Sequence, residues 1–184
     1  MYGLVNSGLA DYVRRNYDVE TWNRIVAKSG VSTEVFVSME SYPDEVTYNL
    51  VVAAAEVLGQ DVAKILEGFG EHWVLVTAKE GYGSLLGMFG DNMKDFLKNL
   101  DSMHARMGTT FPKLRPPSFV CRDIDATTSE LEYHSERAGL TPFVVGLLKG
   151  LGKYFETPVD IKVIGTKSES VSHDTFLLTW SVKG

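Results

Sequence analysis

The chain has 184 residues, 44% apolar and 23% charged, which fits one globular domain with a substantial core and excludes a disordered segment. A net charge of −6 with scattered Lys and Arg argues against nucleic acid and anionic membrane as partners, since both need basic patches. The single cysteine, Cys121, excludes an internal disulfide and a cysteine-based zinc site, and no apolar run approaches the roughly 20 residues that cross a bilayer.

The N-terminus runs Met1-Tyr-Gly-Leu-Val-Asn6 and then turns polar, so no signal peptide is expected and the setting is read as reducing and cytoplasmic. Residues 3–16 are predicted to form a helix that buries Leu4, Val5, Leu9, Tyr12 and Val13. A second helix spans 18–29, buries Trp22, Ile25 and Val26, and stops at Gly30. A short helix or turn follows over 33–39. Pro43 opens a longer helix to Leu58, with Gly59 after its end. Asp61 caps the next, which runs to about Ala78 and carries Ile65, Leu66, Phe69 and Trp73. Glycines 81, 83, 87 and 90 then predict a loop, with one turn over 84–88. The run Gly81 to Gly87 imitates a dinucleotide loop, but its third glycine falls one place late and no strand precedes it.

From Asp91, taken as N-cap, to Met107 the apolar residues Met93, Phe96, Leu97, Leu100, Met103 and Met107 follow one helical stripe. His104 lies inside that stripe and should face the core, as a packed core histidine or as a ligand. Residues 112–117, Pro-Lys-Leu-Arg-Pro-Pro, make a rigid non-helical exit. Ser118–Cys121 reads as a strand with Cys121 as a small buried hydrophobe. Glu130 to Arg137 alternates strictly, with Leu131, Tyr133, Ser135 and Arg137 on one face and Glu130, Glu132, His134 and Glu136 on a solvated one. An inward Arg costs several kcal/mol unless it meets an anion. The face is therefore either a polar edge or a place where Arg137 meets a half-buried acidic partner, with the Tyr and Ser hydroxyls beside it.

Thr141 caps a helix over 143–155 with Pro142 at its first position. Gly146 and Gly150, one turn apart on it, fit either close helix packing or close approach to a flat macrocycle. Val159–Ile164 and Phe176–Val182 complete a four-stranded antiparallel sheet. The expected fold is α+β, with a helical N-terminal part and a C-terminal part of sheet plus helices, in a single domain over residues 1–184. His72, His134 and His173 have no partner at metal spacing, and the last two read as surface residues. His72 and Trp73 point about 100° apart on their helix.

A metal for His104, a large apolar body, and two carboxylates for Tyr133, Ser135 and Arg137 describe one ligand, haem. With Met1-Tyr-Gly-Leu-Val-Asn6, His104, Pro117 and Tyr133-x-Ser135-x-Arg137, the chain resembles the haem nitric-oxide/oxygen-binding (H-NOX) family over its whole length. That family includes the haem domain of animal soluble guanylate cyclase. The resemblance implies haem b (iron protoporphyrin IX), with His104 as the axial iron ligand, Tyr133, Ser135 and Arg137 on the propionates, and Pro117 pressing on the porphyrin. Leu100, Met103 and Met107 would line the same side by helical adjacency. It also implies a sensor and not an enzyme. Nitric oxide would weaken the iron bond to His104, free its helix, and regulate in trans a histidine kinase, a cyclic-dinucleotide enzyme or a guanylate cyclase region.

Oxygen-binding members resemble one another in a distal tyrosine three residues before a glycine. Here Phe143 precedes Gly146, and the other residues of that wall, Val5, Trp73 and Leu147, are apolar, with only the Trp73 indole able to donate. Nitric oxide and carbon monoxide are therefore the expected ligands, and a stable oxygen complex is not. Rival readings are an oxygen-binding H-NOX domain, a peroxidase-type haem enzyme using His72, and a binding module that holds a fatty acid through Arg137.

Overall fold

The computed structural model describes residues 1–32, 35–110 and 113–180. The N-terminal part holds α1 (Gly3–Asn16), α2 (Val19–Ser29), α3 (Asp44–Leu58) and α4 (Val62–His72). Asp18 accepts the Thr21 backbone N–H at 2.6 Å to start α2, and Gly30 ends it with φ of +69°. Of the expected short helix or turn over 33–39, residues 33 and 34 lie outside the described residues, and the rest takes the second form, a bend at Val35 and a turn at Ser38 and Met39. Leu9, Val13, Trp22, Ile25, Leu50 and Ile65 are buried together as a first core.

Two helical expectations are corrected. The helix through Phe69 changes at Trp73 into a π-helix, Trp73–Ala78, and continues as α5 (Lys79–Leu86) through the expected glycine loop. Gly81 and Gly83 meet no turn that requires a positive φ, so they remain helical at a cost of about 1 kcal/mol each. The expected single helix over 91–107 is two, α6 (Met93–Lys98) and α7 (Leu100–Thr110). Its cap is Asn92, not Asp91: Asn92 Oδ1 accepts the Asp95 N–H at 2.9 Å. The break falls at Asn99, whose side-chain amide donates to the carbonyls of Asp95 and Phe89 and competes with the helical ladder. The apolar stripe survives, with Met93, Phe96, Leu97, Leu100 and Met103 all buried.

Strands β1 (Ser118–Asp123), β2 (Thr128–His134), β3 (Val159–Gly165) and β4 (Asp174–Trp180) form one antiparallel sheet in the order β1-β2-β4-β3. Residues 181 and 182 of the expected last strand lie outside the described residues. β2 stops at His134, short of the expected Arg137, because Ser135 Oγ accepts the Arg137 N–H at 3.1 Å and turns the chain out of the ladder. The inner sheet face, with Leu131, Phe176 and Leu178, joins α6, α7 and the last helix in a second core.

That last helix is α8 (Thr141–Tyr154). Leu140, not Thr141, is its N-cap, because the Thr141 hydroxyl donates to buried Asp174 at 2.5 Å. α8 lies along α4. A Cβ on Gly146 would stand 2.0 Å from the Glu67 carbonyl oxygen, and one on Gly70 would stand 2.2 Å from that of Phe143. Of the two roles open to Gly146, close helix packing is the one seen, and Gly70 is its counterpart.

Candidate functional site

His104 projects from α7 and is half-buried, stacked on Phe119 with ring centroids 5.9 Å apart. Leu100 and Met103 are buried on the same helix, and Met107 packs against that core. Burial pushes the imidazole below its ordinary pKa, so the ring is neutral at pH 7 and carries a lone pair. Its Nδ1 is buried with no hydrogen-bond partner. A buried polar atom left unmade costs about 1–3 kcal/mol, so this is a ring held ready for something other than its own protein.

Asp101, one turn earlier on α7, accepts the Phe119 N–H at 2.7 Å and the Ser118 hydroxyl at 2.8 Å. These bonds tie the His104 helix to the start of β1, next to half-buried Pro117.

On the neighbouring strand Tyr133 is paired with Phe119, their ring centroids 5.3 Å apart; it is buried, and burial raises its phenol pKa while a hydrogen bond to Ser135 opposes the rise. Ser135 and Arg137 lie past the strand end. The expected acidic partner of Arg137 is Asp44, at the start of α3 and 93 positions away: Nε donates to Oδ2 at 2.7 Å. Arg137 Nη1 also donates to the Arg115 carbonyl at 3.0 Å, and the Met1 ammonium donates to Asp44 Oδ1 at 2.6 Å. Burial pulls the Asp44 carboxyl upward, but the bonds from Arg137 and the N-terminus outweigh it and hold the group below its usual value. Asp44, Tyr48, Arg115, Glu136 and Arg137 line a cleft of about 590 Å³.

Trp73 and Phe143 both pack on Phe69, with centroids at 6.0 Å and 5.1 Å, and Val5 joins the same first core. Leu147, one turn after Phe143, packs into the second core. The four residues of the expected gas pocket thus flank the boundary between the two cores. His72 points instead at α1: its Nε2 lies 2.9 Å from Asp11 Oδ2, and its ring meets Tyr12 edge-on. Burial lowers the His72 pKa despite Asp11, so the contact is chiefly a neutral hydrogen bond.

Sequence reasoning missed Asp44, Asp101 and the π-helix at Trp73. Asp44 reads locally as a helix start and Asp101 as a polar position on a stripe, so neither carried a signal. The expectation that His134 and His173 lack a partner at metal spacing is corrected, since Glu132, His134 and His173 are brought together.

A family model described as haem-NO-binding matches residues 2–163. The chain belongs to the haem-NO-binding family. Among relatives, the soluble guanylate cyclase gcy-31 of Caenorhabditis elegans is 29% identical over 175 residues, covering 95% of this chain and 24% of the relative. Soluble guanylate cyclase gcy-35 of the same organism is 32% identical, covering 97% and 27%. The chain thus spans about a quarter of the length of these relatives. Among solved structures, an H-NOX protein from S. oneidensis in the Fe(II)NO ligation state superposes with a TM-score of 0.88 at 19% identity, covering 98% of this chain and 99% of that one. An unliganded Fe(II) H-NOX protein from K. algicida gives 0.85 at 21%, covering 98% and 97%. These likenesses establish the H-NOX fold. As a haem-NO-binding domain the chain is a gas sensor related to soluble guanylate cyclase, and such a domain is not itself catalytic. No helix among the described residues is long and apolar enough to cross a membrane. The residues fit a haem: a neutral imidazole with an unpartnered Nδ1 beside Leu100, Met103 and Phe119, and, from Tyr133 against Phe119 on to the end of β2, two hydroxyls and a cation.

Proposed function

We propose that residues 1–184 form one nitric-oxide-sensing domain that holds haem b through His104. The observation that carries this is the half-buried His104 ring, whose Nδ1 is buried without a partner beside Leu100 and Met103, inside a haem-NO-binding fold. When bound, the haem would supply a ferrous iron able to accept nitric oxide or carbon monoxide. Tyr133, Ser135 and Arg137 hold the propionates, and Asp44 keeps the Arg137 fork in position for them. Pro117 bears on the macrocycle from the start of β1. Val5, Trp73, Phe143 and Leu147 keep the gas side apolar. Phe143 offers no hydroxyl to stabilise oxygen, which depends on hydrogen-bond donation, whereas nitric oxide does not, and this supports selectivity against oxygen.

Signalling runs through α7. If nitric oxide loosened the hold of a bound haem on His104, α7 would be free to move against β1, to which, among the described residues, the Asp101 side chain anchors it through the Phe119 N–H and the Ser118 hydroxyl. The output acts in the cytoplasm, on a guanylate cyclase region, a histidine kinase or a cyclic-dinucleotide enzyme. The test is the absorption spectrum of reduced protein. The expected result is a Soret band that shifts with nitric oxide and with carbon monoxide and is unchanged in air. A long-lived oxygen spectrum in air would overturn the selectivity, and the absence of any Soret band would overturn the haem reading.

A further inference from the structure

The outer face of the sheet carries a cluster that gas sensing does not use. β2 and β4 pair with Tyr133 opposite Asp174, which leaves His134, the last residue of β2, beside His173, the residue that precedes β4. Their rings stand 4.5 Å apart, centroid to centroid. Glu132, two residues before His134 and so on the same strand face, brings Oε2 to 3.0 Å from His134 Nε2. One ligand atom from each of the three residues lies within 4.8 Å of the other two, and all three residues are half-buried.

We infer that Glu132, His134 and His173 form a binding site for a divalent transition-metal ion of the zinc and copper class. Two imidazoles and one carboxylate are the ligand set of open zinc sites, with the fourth position left to water. Imidazole nitrogen selects zinc, copper or nickel over magnesium and calcium, which take oxygen ligands. Metal bonds of about 2.0–2.2 Å require the three ligand atoms to close in by small side-chain rotations, which half-exposed residues allow. Arg122 donates to Glu132 Oε1 and also lies 3.7 Å from Glu130. Glu132 can therefore ligate through Oε2 while Oε1 keeps Arg122. Ser172 Oγ lies 3.3 Å from His173 Nδ1, a hydrogen bond that leaves Nε2 of the second imidazole as the ligand nitrogen. The occupied site clips the end of β2 to the segment entering β4.

The test uses the whole haem-loaded protein, stripped with chelator and desalted, then titrated calorimetrically with Zn²⁺ and assayed for retained zinc by mass spectrometry. About 1 zinc per chain is expected, and none of it displaced by excess Mg²⁺. His173→Ala should weaken binding about tenfold or more, one of three ligands being lost, and the double variant His134→Ala/His173→Ala should retain none. Cu²⁺ added to the wild-type protein should show electron-resonance hyperfine structure from two nitrogens, which needs no variant to fold. No retained zinc in the wild type, unchanged retention in the double variant, or copper without imidazole nitrogens would each overturn the site.

Discussion

Arg137→Ala tests the cleft most sharply, because it removes one of the two cations, Arg137 and the Met1 ammonium, that meet Asp44. The guanidinium donates twice to Asp44 and once to the Arg115 carbonyl, and its side chain is 21% exposed against 36% for Asp44. Breaking a fully buried pair costs about 3–5 kcal/mol, whereas an exposed pair is worth about 0.2–1 kcal/mol. This pair lies between those limits, and the Met1 ammonium still partners Asp44 in the variant, so a loss of about 1–2 kcal/mol is expected. At about 2–4 °C per kcal/mol for a chain of this size, Tm falls by about 2–8 °C. The pH dependence has a definite sign. Asp44 is held below its ordinary value, so its stabilisation is present above about pH 4 and is lost as pH falls through the lowered folded pKa. The difference in Tm between wild type and variant should therefore be full at pH 7 and shrink in acid below about pH 4. Thermal melts followed by circular dichroism at the two ends of that range measure it. Asp44→Asn should give a similar fall, and the double variant little more. Haem transfer to an excess of apo-globin adds a second readout, since loss of the propionate partner should speed release in Arg137→Ala. An unchanged Tm at pH 7 together with wild-type haem loss would refute both roles of Arg137.

Three further substitutions follow. His104→Gly should lose the ferrous spectrum of the wild type and regain haem binding with added imidazole, and a wild-type spectrum without imidazole would show that another residue ligates. Phe143→Tyr adds a hydroxyl beside Phe69 and Trp73, and a hydrogen bond to a partly charged acceptor contributes about 1.5–3 kcal/mol, so oxygen affinity should rise about ten- to a hundredfold by spectral titration. Gly146→Ala places a Cβ 2.0 Å from the Glu67 carbonyl oxygen, forcing α8 off α4 at a cost of about 1–3 kcal/mol in urea unfolding, and wild-type stability there would contradict the close packing.

What the sequence by itself determined was local. Caps and stops placed α2 and α3, because Asp18, Gly30 and Gly59 act on the turn they sit in. A repeat of three and four residues put Met93, Phe96, Leu97, Leu100 and Met103 in the core, even though Asn99 splits the helix that carries them. The same stripe aimed His104 inward, and the odd polar residues beside Leu131 implied an acid for Arg137. Which acid it was, only the tertiary structure decided. Asp44 is 93 positions away, and its place depends on how α3 docks beside the end of β2. The continuation of α4 as a π-helix and α5 through Gly81 and Gly83 was likewise beyond local rules, which read glycine as a stop. Gly70 facing Phe143, and Gly146 facing Glu67, depend on how α8 crosses α4. His134 meets His173 only because β2 and β4 pair in one register rather than another. Periodicity assigns a side chain to a face, since it is set by backbone geometry within a few residues. What lies across from that face is set by packing between elements remote in the chain, and no pattern within one element encodes it.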